Sequence, residues 1–419
     1  MDCTELRLGW RAILGVTVAL LSGIACLPYY TASLFVTSLQ HEFGWSRAAI
    51  SLGPSMLALG QVVTTPFIGI LVDRIDARKL VPFGVLIVAL AFGWLSIMNG
   101  SFLQYFAAMS LMAFIGGLAT GTTATRIIAE TFRSSRGAAL GIVLSGIGLG
   151  AAAGSTLVAR VIHTYGWRGG YLAMGLFSLT MTPLIHLLLR GRGRVSPSPD
   201  SYSGDTLREA FSKPLYWCLS DAFFFVSLGS AGLIIHFVPL LTDRGMNAKE
   251  AAAIASVIGL FISVSRLFTG FMIDRLFAPR FATALMLLTA LSYVLFITAG
   301  PRFAVVGAIA IGISYGAEMD LIGYMVSRYF GLRCYGRLYG LMYSICLLGT
   351  FLSPLLYGLA IAKDHLGTYV PMIIAAIILL IIAAVILFVL PAFPRWNDAG
   401  PPTTDVPVPD GQVASKVPK

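Results

Sequence analysis

Charge is what this sequence lacks. Asp, Glu, Lys and Arg supply 11% of its 419 residues, where a soluble chain would carry roughly 25%. So little polar surface cannot cover a water-exposed exterior. That excludes the two or three soluble domains the length alone would suggest. Cysteine is scarce as well. Cys3, Cys26, Cys218, Cys334 and Cys346 show no C-x-x-C spacing, so there is no disulfide framework and no thiolate metal site. His41, His163, His186, His236 and His365 show no H-E-x-x-H or other ligand spacing. A phosphate-binding G-x-x-x-x-G-K-[ST] loop is missing, which argues against ATP-driven work. No nucleophile–base constellation stands out either, so neither an enzyme nor a bound cofactor or metal is expected. The net charge of +10 would suggest nucleic acid as partner in a soluble protein. Here the basic residues sit in short segments between apolar runs, and membrane topology accounts for them. Asn99-Gly100-Ser101 matches a glycosylation sequon, but its loop is too short to stand clear of a bilayer.

What is present is apolar length. Hydrophobic residues make up 57% of the chain and the mean hydropathy is +0.84. A membrane span needs about 20 apolar residues. Twelve segments qualify, at 12–39, 48–71, 80–98, 103–128, 137–161, 169–189, 216–241, 249–272, 280–299, 303–327, 337–361 and 369–391. The first runs far beyond the 7–15 residues of a signal-peptide core and reads as an uncleaved span. The expected fold is an all-α membrane protein of twelve transmembrane helices. Connections are short except 190–215, which opens Arg190-Gly191-Arg192-Gly193-Arg194 and continues Ser- and Pro-rich. That segment is the expected linker between a six-helix bundle at 1–189 and another at 216–393. The Pro/Asp/Gly-rich tail, 394–419, reads as disordered. With the N-terminus inside, 20 of the 29 Lys and Arg fall in inside segments, 7 outside, and Arg126 and Arg266 within spans. This bias predicts both termini in the cytoplasm, with a bacterial inner membrane as the expected location.

The two bundles repeat each other. Gly69-Ile-Leu-Val-Asp73-Arg74 after the second span returns as Gly270-Phe-Met-Ile-Asp274-Arg275 after the eighth, 201 residues on. Phe132-Arg-Ser-Ser-Arg-Gly137-Ala-Ala-Leu-Gly141 before the fifth returns as Phe330-Gly-Leu-Arg-Cys-Tyr-Gly336-Arg-Leu-Tyr-Gly340 before the eleventh, offset by 198–199. Parallel repeats place a substrate site at their interface near the midplane, with alternating access by rocking.

At these residues the sequence resembles the major facilitator superfamily. Gly69-x-x-x-Asp73-Arg74-x-x-x-Arg78-Lys79 is similar to that family's signature between the second and third helices, and Asp274-Arg275 to its degenerate second copy. Phe43-Gly44-Trp45-Ser46-Arg47, Arg136-Gly137-Ala138-Ala139-Leu140-Gly141, Tyr165-Gly166-Trp167-Arg168 and Arg266 with Gly270 resemble the bacterial monocarboxylate transporter and oxalate–formate antiporter branch. Gly316-Ala317-Glu318-Met319-Asp320 with Ser327-Arg328-Tyr329-Phe330-Gly331 resembles a bacterial subgroup of mostly unassigned substrates. The resemblance implies that Arg266 binds a substrate carboxylate. The chain departs from the pattern in two places. The eleventh span has no lysine, which counts against a small dicarboxylate, and Ile262 stands where animal relatives carry an aspartate one turn before the arginine.

A charge at the bilayer centre costs at least about 2.5–3.5 kcal/mol on insertion scales and needs a partner or a wet cavity. Arg266 and Asp320 each lie eight residues before the Asp274 and Arg328 that end their spans, so they share a depth and an ion pair is expected. Glu318, two residues from Asp320, points about 160° away on a helix. Arg266 is the expected substrate contact, with Asp320 or Glu318 as counter-ion or proton carrier. The bland alternative is a static ion pair that locks packing. Thr65 occupies the position matching Arg266 in the first half, so the charge is a specialisation of one half. His236, Tyr30 (with Tyr29 after Pro28) and Tyr315 are further substrate candidates. Aromatic packing is the default for these tyrosines and for Tyr339 and Tyr343. Arg126 is either a second anion contact or a snorkelling side chain. Asp73, Arg74, Arg78, Asp274 and Arg275 are the expected conformational latch. Gly146, Gly148, Gly150 and Gly154 favour close helix packing. The expected function is a monomeric, proton-coupled or exchange carrier of a small organic anion, a monocarboxylate. The alternatives are a carrier of a larger neutral or aromatic solute such as a vitamin or drug, and a membrane receptor on a carrier scaffold.

Overall fold

The computed structural model describes residues 3–190, 203–299, 303–363 and 369–394. Most of the expected linker and tail, 191–202 and 395–419, lies outside them. Fifteen α-helices run in chain order. The first half holds α1 (Cys3–Leu8), α2 (Trp10–Ser22), α3 (Leu27–Phe43), α4 (Arg47–Arg74), α5 (Ala77–Ser96), α6 (Phe102–Phe114), α7 (Gly121–Thr131) and α8 (Arg136–Leu189). After α9 (Leu207–Ser212), the second half holds α10 (Pro214–Asp243), α11 (Ala248–Ile273), α12 (Ala278–Ala299), α13 (Ala304–Tyr329), α14 (Tyr335–Lys363) and α15 (Val370–Val389). Helices dominate because in hydrocarbon each backbone N–H and C=O must be satisfied within its own segment. Polar caps fix several starts. Ser46 accepts from the Ala49 N–H and Asp76 from the Arg78 N–H. Thr206 and Glu209 form a capping box on α9.

Three expected spans differ in form. The first is two helices, α2 and α3, broken at residues 23–26, because Gly23 adopts extended backbone and Pro28 can only sit in the first turn of a new helix. The fourth is α6 and α7 joined by a 3₁₀ turn over Gly116–Ala119, where two adjacent glycines weaken the α-helix. The fifth and sixth run into each other as α8, which reverses at Gly166 (φ 70°, ψ 179°), a backbone that favours glycine. Both arms then lie against α2: a Cβ on Gly146 would meet Thr17, and one on Gly15 would meet Leu188 and Leu189. Counted this way the described residues make twelve crossings. The segment before α10 is also structured. Gly204 bridges Gly331, the Asp205 N–H donates to the Phe330 carbonyl at 2.8 Å, and Lys213 pairs with Asp205 at 2.5 Å.

The halves meet along two seams, α4 on α14 and α8 on α11. Glycines set both. A Cβ on Gly69 would overlap the Gly336 carbonyl, and one on Gly340 would press on that of Thr65. On the other seam Gly137 faces the Gly270 carbonyl and Gly141 that of Arg266. The repeat therefore extends to packing: the Thr65 and Arg266 carbonyls, 201 residues apart, take matching glycines from the opposite half.

Candidate functional site

The two buried arginines of the spans do different things. Arg266 on α11 is 7% exposed. Its Nη1 donates to the Leu144 carbonyl of α8, in the other half, at 3.0 Å, and its Nη2 reaches only the Met319 thioether at 3.8 Å. Its Nε has no partner, and among the described residues no carboxylate lies within ion-pair distance. The Nε–Nη2 edge is the face by which a guanidinium grips a carboxylate with two parallel bonds. Around it gather Tyr30 of α3, close enough to feel the Arg266 charge, then Tyr343 of α14, and through Tyr343 and Tyr30 also Tyr315 and Tyr29. Tyr30 is 48% exposed. The helix that carries it begins at Leu27, three residues earlier, with Pro28 in its first turn.

The expected Arg266–Asp320 ion pair is not formed. The depth was right: α11 and α13 pack in parallel register, with Ile258 against Gly312 and Ile262 against Gly316, which puts Arg266 level with Asp320. The guanidinium nevertheless turns across the seam to Leu144, and α13 presents Met319 to it. Asp320 is fully buried and both its carboxyl oxygens lack a hydrogen-bond partner. Thr269, one turn beyond Arg266 on α11, is likewise buried with an unpartnered hydroxyl. Glu318 points the other way, as the helical angle requires. It accepts from the Ser227 hydroxyl of α10 and from the Cys346 thiol of α14 at 2.8 Å.

On the α1 side the repeated aspartates cross between the halves. Asp73, at the end of α4, accepts the Gly336 and Arg337 N–H groups at the start of α14, at 2.8 and 3.0 Å. Asp274, just past α11, accepts those of Gly137 and Ala138 at the start of α8, at 2.8 and 2.9 Å. Each carboxylate thus caps a helix N-terminus of the opposite half, where the helix dipole favours it. Burial raises the Asp274 carboxyl above its ordinary 3.8, opposed by the Ala138 and Gly137 N–H groups and by Arg136. The arginines of the expected latch take less part. Arg78 reaches Thr131 at 3.4 Å within its own half, while Arg74 and Arg275 are exposed and make no ion pair among the described residues. Water solvates their charge better than the packed seam would.

Arg126 belongs to this side. It is 3% exposed, bonds Glu130 and the Leu332 carbonyl of the other half at 2.6 Å each, and lies 3.5 Å from Asp73. It neither snorkels nor joins the Arg266 cluster. His236 also stands apart. It contacts the Pro354 carbonyl at 3.4 Å and stacks on Tyr357, about 13 Å along α10 from Ser227 at 1.5 Å per residue. The partners of Glu318, Ser227 and Cys346, escaped the sequence because nothing in one helix names the residues of the next. The same holds for Leu144, which contributes only a carbonyl. The Trp-containing turns have a packing role: Glu42 accepts from the Trp167 indole and from Arg168, whose guanidinium lies 4.3 Å over the Trp167 ring. A surface hollow of about 450 Å³, lined by Trp94, Ser101, Leu103, Gln104 and Ala107, has no charged side chain in its lining and does not include Arg266.

Residues 18–354 match the family model described as Major Facilitator Superfamily. The chain is 26% identical over 380 residues to human monocarboxylate transporter 11, covering 86% of this chain and 79% of that protein. It is 26% identical over 379 residues to the oxalate:formate antiporter of Oxalobacter formigenes, covering 87% and 88%. Among solved structures it superposes on the transporter FucP in the outward conformation with a TM-score of 0.72 at 13% identity, covering 90% of this chain and 97% of that one. This last likeness concerns the fold alone.

Proposed function

This chain belongs to the Major Facilitator Superfamily and is a membrane transporter rather than an enzyme, and on that footing we propose that it carries a small organic anion, a monocarboxylate, by alternating access. The observation that carries the proposal is the Nε–Nη2 edge of Arg266, buried midway through the second half without a carboxylate partner. An uncompensated guanidinium is expensive in a membrane, and a substrate carboxylate supplies the missing charge and both missing acceptors. The relatives named for monocarboxylates and for oxalate and formate support the same class. Tyr30 and Tyr315 line the site from opposite halves, so a bound anion touches both. His236 takes no part in this reading.

Transport proceeds by breaking the two aspartate caps on the α1 side while the halves close over the substrate on the other. The Lys/Arg bias supports an orientation with both termini in the cytoplasm of a bacterial cell, which makes the α1 side, where the two caps are closed, the cytoplasmic one. Proton coupling and anion exchange both fit this cycle. A second reading has support of its own. Tyr29, Tyr30, Tyr315 and Tyr343 make a wall suited to an aromatic acid rather than a short aliphatic one. The test is uptake of radiolabelled formate, pyruvate, lactate and benzoate into proteoliposomes, with Arg266→Ala and Arg266→Lys beside wild type. The alanine variant should lose at least tenfold in uptake of the preferred acid. Lysine, a point charge without the fork, should restore little. Undiminished uptake by Arg266→Ala removes the carboxylate assignment.

A further inference from the structure

The fourth span restarts midway along its length, and the restart is uncapped. After the 3₁₀ turn over Gly116–Ala119, Thr120 adopts extended backbone and the eleven residues of α7 begin at Gly121. A threonine in that place ordinarily caps the helix. Here its hydroxyl turns back to the Gly117 carbonyl at 2.8 Å instead. The first return bond of α7 is the Ala124 N–H to the Thr120 carbonyl, at 3.0 Å. The N–H groups of Gly121, Thr122 and Thr123 have neither a side-chain cap nor a backbone acceptor among the described residues. All three residues are buried. The Thr122 and Thr123 hydroxyls are fully buried and unpartnered too, and side chains on a helix lean toward its N-terminal end. Buried donors without acceptors are costly at a helix end, and irregular backbone at this depth persists where it is packed in protein or lines a site. The matching span of the second half, α13, runs unbroken, so the restart has no counterpart there.

Arg266 lies just across from this turn. A Cβ on Gly121 would come within 2.6 Å of the Met319 methyl, and the Met319 sulfur is 3.8 Å from Arg266 Nη2. The end of one methionine therefore separates the α7 N-terminus of the first half from the guanidinium of the second. The unpartnered Tyr339 hydroxyl borders the same space, 3.7 Å from that Cβ position. We propose that the first turn of α7, Gly121–Thr123, is a second polar subsite, which takes the oxo oxygen of a 2-oxo acid whose carboxylate sits on Arg266. The proposal rests on the anion-carrier reading and narrows its substrate class. A gap one thioether wide fits an acceptor on the carbon next to the carboxylate. The subsite presents donors, and a helix N-terminus carries only about half a positive charge. A neutral oxo oxygen therefore suits it better than a second carboxylate does. Methionine is flexible enough to turn aside as the acid enters. An acid without the oxo group leaves the buried donors unpaired, and a site built on such bonds rejects it strongly. The two polar ends of the acid then join the two halves, the carboxylate on α11 and the oxo group on α7.

The test is calorimetric binding to the purified full chain, with two pairs of acids that differ only in the oxo group. These are pyruvate against propionate, and 4-methyl-2-oxopentanoate against 4-methylpentanoate. Wild type should bind the oxo acid of each pair at least about tenfold more tightly. Thr122→Val with Thr123→Val keeps the side-chain shapes and removes both hydroxyls. It should lower that ratio at least about fivefold while leaving the affinity for the plain acids unchanged. Gly121→Ala puts a methyl into the gap and should weaken the oxo acids more than the plain ones. Arg266→Ala should lose all four. A wild-type ratio below tenfold overturns the subsite without needing any variant. If Arg266→Ala still abolishes binding in that case, the anion-carrier reading stands alone. A ratio that survives in the double valine variant overturns the subsite as well. Should wild type bind none of the four acids, the carrier reading fails and the subsite falls with it.

Discussion

Consider removing the two aspartates that join the halves. Asp73 and Asp274 each accept two backbone N–H groups across a seam, at 2.8–3.0 Å. Replacing a helix-capping carboxylate by alanine costs up to about 2 kcal/mol. Because each cap exists only while the seam is closed, the whole loss falls on the closed conformation. One substitution should therefore raise the open-to-closed ratio on the α1 side by about 30-fold. The caps sit on different seams and share no partner, so their effects should add. The double variant should gain about 4 kcal/mol toward opening, or about 1,000-fold. Arg126 raises the figure for Asp73, since removing the carboxylate also strips a neighbour 3.5 Å from a guanidinium that the closed conformation buries. The ratio is read from electron–electron distances between labels at Lys79→Cys and Arg280→Cys, with the accessible native cysteines changed to serine. Open fractions within twofold of wild type in both single variants would refute the latch. A double variant no more open than either single one would refute its two-seam form.

The glycines of the seams make a sharper steric prediction. Gly69→Ala and Gly270→Ala place a methyl on the backbone of Gly336 and of Gly137, which cannot yield as a side chain would. Both should favour the open conformation in the same distance measurement, whereas Gly93→Ala, with open space around it, should not. Glu5 gives a pH-dependent one. Burial alone would raise its carboxyl, but the N–H groups of Arg133, Ser134 and Ser135 and the Ser134 hydroxyl outweigh that and hold it below its ordinary 4.5. A depressed folded value means stability that is present above pH 4.5 and lost as the pH falls through the folded value. The melting temperature of purified protein should thus drop between pH 6 and pH 4 by more in wild type than in Glu5→Gln.

Much of the candidate site is legible in the sequence. Arg266 stood out because a charge in an apolar run of that length has few innocent explanations. The paired Asp-Arg motifs mark the candidate latch, and of their residues the two aspartates, not Arg74 or Arg275, bond across the seams. Glu318 and Asp320 were separable by helical angle alone. What misled was the step from shared depth to contact. A register of 1.5 Å per residue places two side chains at one level, but it does not say whether a third helix offers one of them a better partner. Leu144 did, with a carbonyl that no side-chain motif can reveal.

The division follows from how far each force reaches along the chain. Hydrocarbon compels every segment to satisfy its own backbone, so crossing number, helical class and the two-fold repeat were determined by composition and local pattern. The breaks at Gly23 and Gly116, and the reversal at Gly166, also answer to residues in place. The partners of Arg266 and Glu318, and the unpartnered state of Asp320, were decided only by tertiary structure. They depend on α8, α10 and α14 arriving beside α11 and α13, and on glycines that let the backbones of two halves touch. The scarcity of charge, which first excluded a soluble protein, is also why each buried charge here can be followed to a partner or to the lack of one.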